Sequence, residues 1–178
     1  SDVYKRQAKL QAPSVCNALD TILIHEKQLN NLLPKIVSEL NKNGVQTRLD
    51  SKLYQSIKNA DSIKLIRKAN DKDWGKEFLD LIVSIKSVKS VDDAINHIDE
   101  YSFGHTDGII SNINKNINTF VQRVNSSAVT VNASTRFNDG GEIGLGSEIA
   151  ISTTKVSPRG PLAAVSYTHL RAHETCLD

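Results

Sequence analysis

The chain has 178 residues, 39% of them hydrophobic, and its 22 basic and 20 acidic side chains are interspersed for a net charge of +2. That balance lacks the electrostatic footprint of a nucleic-acid binder, and no apolar run reaches the roughly eighteen residues that a membrane-spanning helix needs. Two cysteines, Cys16 and Cys176, make no disulfide framework and point to a reducing, cytoplasmic setting; five scattered histidines and the lack of a CxxC pair argue against a structural zinc site.

The two ends, Ser1–Gln7 ("SDVYKRQ") and residues 164–178 (ending "VSYTHLRAHETCLD"), carry no periodicity that continues into their neighbours. Both resemble conceptual translations of sequencing-adapter DNA, ordinary tails being the alternative, and one α/β domain is expected over residues 8–163. The chain contains no methionine, which reads as a piece of something longer.

Within the domain, "PSVCNALD" (Pro13–Asp20) could supply a short helical turn beginning near Pro13 or Ser14, followed by a β-branched strand at Thr21–His25. Leu29, Leu32, Leu33, Ile36, Val37 and Leu40 recur at helical spacing, and Asn43-Gly44 is a C-terminal stop. Pro34 is then expected in the first helical turn, where its missing N–H does little harm. Val45–Leu49 reads as a short strand, Ser51–Asn59 as a weak helix, Ser62–Ile66 as a weak strand and Asn70–Gly75 as a polar loop.

From there the alternation is plainer. Leu81–Val88 is a strand; Ser90 caps a helix with Asp93 completing a capping box, and Val91, Ala94, Ile95, Ile98 and Tyr101 form its buried stripe. Asp107–Ser111 is a strand, Ile113 to Val124 a helix marked by Ile117, Phe120 and Val121, and Ala128–Ala133 a strand again. Such alternation with short connections predicts right-handed crossovers and a largely parallel sheet. A glycine-rich turn (Asp139–Gly146) and a strand-like Glu148–Ser152 follow.

Three constellations could carry chemistry. Cys16 is either a small buried hydrophobe or a nucleophile activated by helical amides or a nearby cation. In "NASTRFNDGGEIGLG" (Asn132–Gly146), Arg136 could grip a carboxylate or phosphate in two-pronged fashion while the glycines let backbone amides approach it; a plain turn with a solvated arginine is the alternative. His97 and His105 could act as acid–base groups, but His97 sits between Ile95 and Ile98 on a helix and reads as packing.

"PSVCNALDTILIH", "DWGKEFLDLIVSIKSV", "VDDAINHIDEYSFGHTDGI", "NSSAVTVNASTRFNDGGEIGLGSEIAISTTK" and "RGP" together resemble the gamma-glutamyl phosphate reductase (glutamate-5-semialdehyde dehydrogenase) family of the aldehyde dehydrogenase superfamily, over Ala8–Leu162. The resemblance implies a three-layer α/β catalytic domain with a largely parallel sheet flanked by helices, and an absent cofactor domain. It implies Cys16 as nucleophile towards L-glutamyl 5-phosphate, Glu77 and Phe78 as cofactor-binding in a degraded E-x-F element, NADPH as cofactor, and no metal. Asn132, Ser134, Thr135, Arg136, Gly140 and Gly141 would then anchor substrate. It further implies a cytoplasmic, homo-oligomeric parent in proline biosynthesis, and weak NADPH binding and no turnover by this piece alone. A non-catalytic module that binds an anion through Arg136, and an aldehyde dehydrogenase of other specificity, remain the alternatives.

Overall fold

The β-branched run Thr21–His25 is extended as β1, with Ile22 and Ile24 on its buried face. The computed structural model describes residues 9–10, 12–57 and 64–139. A 3-10 turn at Glu26–Gln28 leads into helix α1 (Leu29–Lys42), which buries Leu33, Ile36, Val37 and Leu40, the expected stripe.

Pro34 lies inside α1 rather than in its first turn. The helix tolerates it because Pro34 and Asn30, whose carbonyl loses its partner, are both exposed, so water can take the place of the missing N–H. The helix ends as Asn43-Gly44 predicts. Gly44 is left-handed at φ 78°, and the amides of Gly44 and Val45 donate to the carbonyls of Asn41 and Leu40 at 3.0 Å. Val45, fully buried, seals the motif.

Strand β2 (Gln46–Leu49) precedes helix α2 (Ser51–Ile57), and β3 (Ile66–Lys68) begins where the expected Ser62–Ile66 strand ends. Its register is set from β2, since Thr47 faces Ile66 and Leu49 faces Lys68. The Asn41 side chain, which accepts from the Leu65 amide at 2.9 Å, fixes the entry. After a 3-10 turn at Asp71–Asp73 comes β4 (Ile82–Val88), the most buried strand of its sheet.

Ser90 caps helix α3 (Val91–Tyr101), its hydroxyl accepting from the Asp93 amide at 3.1 Å. The expected capping box is only half formed. The Asp93 carboxylate accepts from the amide of Lys89, one residue too early, at 2.9 Å. Strand β5 (Thr106–Ile109), helix α4 (Asn114–Arg123) and strand β6 (Ala128–Val131) follow, and a 3-10 turn at Thr135–Phe137 comes after them.

Among the described residues all strand pairs are parallel, but they form two sheets where one was expected: four strands in the order β1-β4-β2-β3, and the pair β5-β6. Strands β1 and β5, one from each sheet, both line a single cleft. The larger sheet carries a core of aliphatic side chains from α1, α2 and its own strands; the smaller rests on Ile95, Phe120 and Val124. The strand-like Glu148–Ser152, the glycine-rich turn beyond Asp139 and both suspect ends lie outside the described residues.

Candidate active site

Cys16 is exposed, on a turn closed by the Ala18 amide donating to the Val15 carbonyl at 3.0 Å. The helical turn expected near Pro13 or Ser14 is not formed. The segment must be extended again by Thr21, and the carbonyl of Asn17 accepts from the Thr135 hydroxyl at 2.9 Å rather than from a helical amide. A helix N-terminus is therefore not what would activate this thiol.

Two polar ties fix the turn. Asn17, 4% exposed, donates from Nδ2 to the Asn138 carbonyl at 2.9 Å and accepts at Oδ1 from Arg136 at 2.6 Å. Asp20 accepts from the Lys9 ammonium, wholly buried, at 3.2 Å and from the Phe78 amide at 3.3 Å. The stretch around Cys16 is thus bound on one side to the loop after β6 and on the other to the loop before β4. Those are the two segments singled out from sequence.

The cleft has a volume of about 650 Å³, and Cys16, Glu77, His105, Ser134 and Thr135 all line it. Glu77 is exposed on its wall, whereas Phe78 packs beneath Arg48, whose guanidinium lies 5.0 Å from the ring centroid, and is not part of the lining. The Glu77 loop is held in an unusual path. Gly75 has φ 69° and Leu79 φ 52°, a left-handed conformation costly for leucine. A Cβ on Gly75 would sit 2.4 Å from the Tyr101 carbonyl oxygen.

Ser134 is buried at 3% exposure; its hydroxyl accepts from the Arg136 amide at 3.2 Å and caps the 3-10 turn Thr135–Phe137. Arg136 does not line the cleft. It is bonded to Asn17 and lies 3.6 Å from the Asp139 carboxylate, with its Nε buried and unpartnered among the described residues. Asn132, exposed with φ 51°, clasps the Ser111 backbone through Nδ2 and Oδ1 at 3.1 and 3.0 Å and also lies off the lining. Gly140 and Gly141 lie outside the described residues.

His97 is packed, as its place between Ile95 and Ile98 suggests: 7% exposed, with ring centroids 5.8 Å from Trp74 and 4.6 Å from Tyr101. Burial first, and then the Lys86 ammonium 3.1 Å from Nδ1, pushes its pKa down to about 4, so the ring is neutral at pH 7. Sequence reasoning missed Asn17, Asp20 and Thr106, whose hydroxyl accepts from Asn138 at 2.7 Å. Asn17 and Asp20 flank the cysteine in "CNALD", and a polar residue at the mouth of a buried strand was the available signal.

No family model matches the chain. The chain is 47% identical over 165 residues to a gamma-glutamyl phosphate reductase of Clostridium tetani, an alignment covering 90% of the chain and 39% of the relative. A crystal structure of gamma-glutamyl phosphate reductase from Thermotoga maritima superposes with a TM-score of 0.84 at 43% identity, over 90% of this chain and 37% of that one. A propionaldehyde dehydrogenase from Clostridium phytofermentans, at 19% identity and a TM-score of 0.59 over 92% of this chain and 44% of that one, shares the fold. The chain is thus similar in sequence and fold to a stretch of these reductases, spans about 39% of the length of the curated relative, and has an α/β fold of aldehyde dehydrogenase type.

Proposed function

We propose that this chain is part of a gamma-glutamyl phosphate reductase, and that it carries the nucleophile for NADPH-dependent reduction of L-glutamyl 5-phosphate to L-glutamate 5-semialdehyde. The observation that carries this reading is the convergence of Cys16, the Glu77 loop and the Ser134–Thr135 loop on one cleft, in a chain similar to these enzymes over nine-tenths of its length.

The Cys16 thiolate attacks the carbonyl carbon of the acyl phosphate. The carbon–oxygen bond to phosphate breaks, phosphate leaves with the electron pair, and a thioester remains on Sγ. Because phosphate is a competent leaving group, no strong general acid is required beside it, which suits a cleft whose His97 is neutral. Ser134 keeps its hydroxyl proton for donation to a substrate oxygen. Thr135, having donated to Asn17, keeps lone pairs for the substrate ammonium. Asn132, Arg136, Gly140 and Gly141 would shape this loop, Arg136 from behind the cleft wall.

The exposed Glu77 carboxylate on the cleft wall is an acceptor suited to ribose hydroxyls, so the residues present fit a nicotinamide dinucleotide on that side, with Phe78 supporting the loop. When bound, that cofactor supplies the hydride that reduces the thioester carbonyl. Cys16 then leaves as thiolate and the aldehyde is released.

The test uses the protein completed to the length of its relatives. Cys16→Ser abolishes NADPH oxidation dependent on glutamyl phosphate, a fall of about 10³-fold or more. A serine variant that keeps a rate within a few-fold of the parent overturns the reading.

A further inference from the structure

We propose that Asn17 is a positioning residue, whose side-chain amide docks the Ser134–Asp139 loop, and with it the Arg136 guanidinium, onto the turn that carries Cys16. The inference rests on the reading of Cys16 as the nucleophile. It concerns what holds that nucleophile in register with the loop across the cleft.

The chain passes from an exposed Cys16 to an Asn17 that is 4% exposed in a single step. One residue therefore faces substrate while the next faces the interior. Asn17 meets residues some 120 positions away through both atoms of its amide and its own carbonyl: Arg136 at 2.6 Å, Asn138 at 2.9 Å and the Thr135 hydroxyl at 2.9 Å. The fit is specific to an amide. Aspartate would still accept from Arg136 but would turn lone pairs towards the Asn138 carbonyl. An aliphatic residue would satisfy neither partner and would leave both desolvated.

Arg136 makes that loss consequential. Its side chain is only 12% exposed, its Nε is already unpartnered among the described residues, and the Asp139 carboxylate stands 3.6 Å away. Beyond the loop, Asn138 donates to Thr106 at 2.7 Å, so the bonds continue from the nucleophile turn through the loop to β5. Two consequences follow for Cys16. Its position relative to Ser134 and Thr135 is fixed through the neighbouring residue, and a cation is held next to its turn, which favours the thiolate.

The other titratable groups on the cleft are Asp20 and His25 around β1, Lys76 and Glu77 before β4, His97 and Tyr101 on α3, His105 just before β5 and Asp107 on it. None of these takes part in the bonds that join Asn17 to Arg136 and Asn138, so they provide a constant background.

The experiment follows alkylation of Cys16 by iodoacetamide across pH, in the full 178-residue chain with Cys176→Ser so that a single thiol reports. The parent shows a midpoint below the ordinary thiol range. Asn17→Ala and Arg136→Gln each raise it and slow alkylation at pH 7 about tenfold, and the double variant is no slower than either single one. Asn138→Ala, which keeps the main-chain carbonyl that Asn17 uses, follows the parent.

A low midpoint unchanged by Asn17→Ala and Arg136→Gln overturns the inference and leaves the nucleophile standing. So does an effect of Asn138→Ala as large as theirs, since that marks general loosening. An ordinary midpoint in the parent overturns the nucleophile reading, and this inference with it. Should Asn17→Ala fail to fold, Arg136→Gln alone decides.

Discussion

The larger sheet and the β5–β6 pair are built from the same alternation of strand and helix, yet different forces hold them. Among the described residues the larger sheet is backed by a cluster of eleven buried aliphatic residues, whereas the smaller has three, Ile95, Phe120 and Val124. Around the smaller sheet Phe103, Ile113 and Phe137 stay 69%, 58% and 47% exposed. In place of a deep core it uses polar ties: Asn132 to Ser111, Asn138 to Thr106, and Ser102 and Ser126 to the Asp107 carboxylate. The larger sheet therefore acts as a scaffold, and the smaller as a wall braced by its own hydrogen bonds. Cys16 lies where the two meet.

The largest effect tests the scaffold. Ile85, fully buried on β4 between β1 and β2, leaves a cavity when replaced by alanine, and the loss is expected at about 2–5 kcal/mol. Urea unfolding of Ile85→Ala should lower the midpoint for the whole chain. Val121→Ala on the smaller sheet's helix, where the side chain is 47% exposed, should change stability by no more than about 0.5 kcal/mol. Equal losses at the two sites would remove the distinction.

Next comes the seam between the regions. Gly75→Ala puts a Cβ 2.4 Å from the Tyr101 carbonyl oxygen on a backbone already at φ 69°, so the Glu77 loop must move off α3 at a cost of about 1–3 kcal/mol. Trp74, the chain's only tryptophan, is the neighbouring residue and reports the movement directly. An unchanged emission spectrum and melting temperature would mean that the loop is not held by this approach.

The same contrast explains what could be read from the sequence. The α1 stripe, the Gly44 stop and β4 were legible because periodicity and burial coincide there: Leu33, Ile36, Val37 and Leu40 recur at helical spacing and are all buried. The helix after β5 was legible only in part. Ile113 and Val121 share its apolar pattern but are exposed. The split into two sheets was not legible at all, since strand pairing is a long-range choice that local alternation leaves open. At the site, Cys16 and the "NASTRF" loop stood out individually. Their connection runs through Asn17, whose importance depends on partners some 120 residues away.

His97 allows a gentler test of the seam. Its folded pKa of about 4 lies below the value of 6.5 for an unperturbed histidine, so between those values the unfolded chain binds more protons than the folded one. Stability contributed by the neutral ring is fully present above pH 6.5 and is lost as pH falls towards 4. His97→Gln should flatten the dependence of the urea midpoint on pH within that window. A slope identical to the parent's would assign the acid sensitivity to other groups.

The smallest effect lies on the far surface of the smaller sheet, where Arg123 on α4 meets the Asp92 carboxylate on α3. This ion pair links the only two helices that cover the β5–β6 side among the described residues, so its position suggests a structural brace. Its exposure argues otherwise. With the side chains 45% and 60% exposed, water and salt screen the attraction, and ordering two flexible side chains offsets much of what remains. A double-mutant cycle with Asp92→Ala and Arg123→Ala should return a coupling below about 1 kcal/mol that shrinks further in 0.5 M salt. The contact between the helices is instead carried by Ile95, Phe120 and Val124, which salt leaves untouched. A coupling of about 2 kcal/mol that persists at high salt would show that charge, and not its small core, holds this wall together.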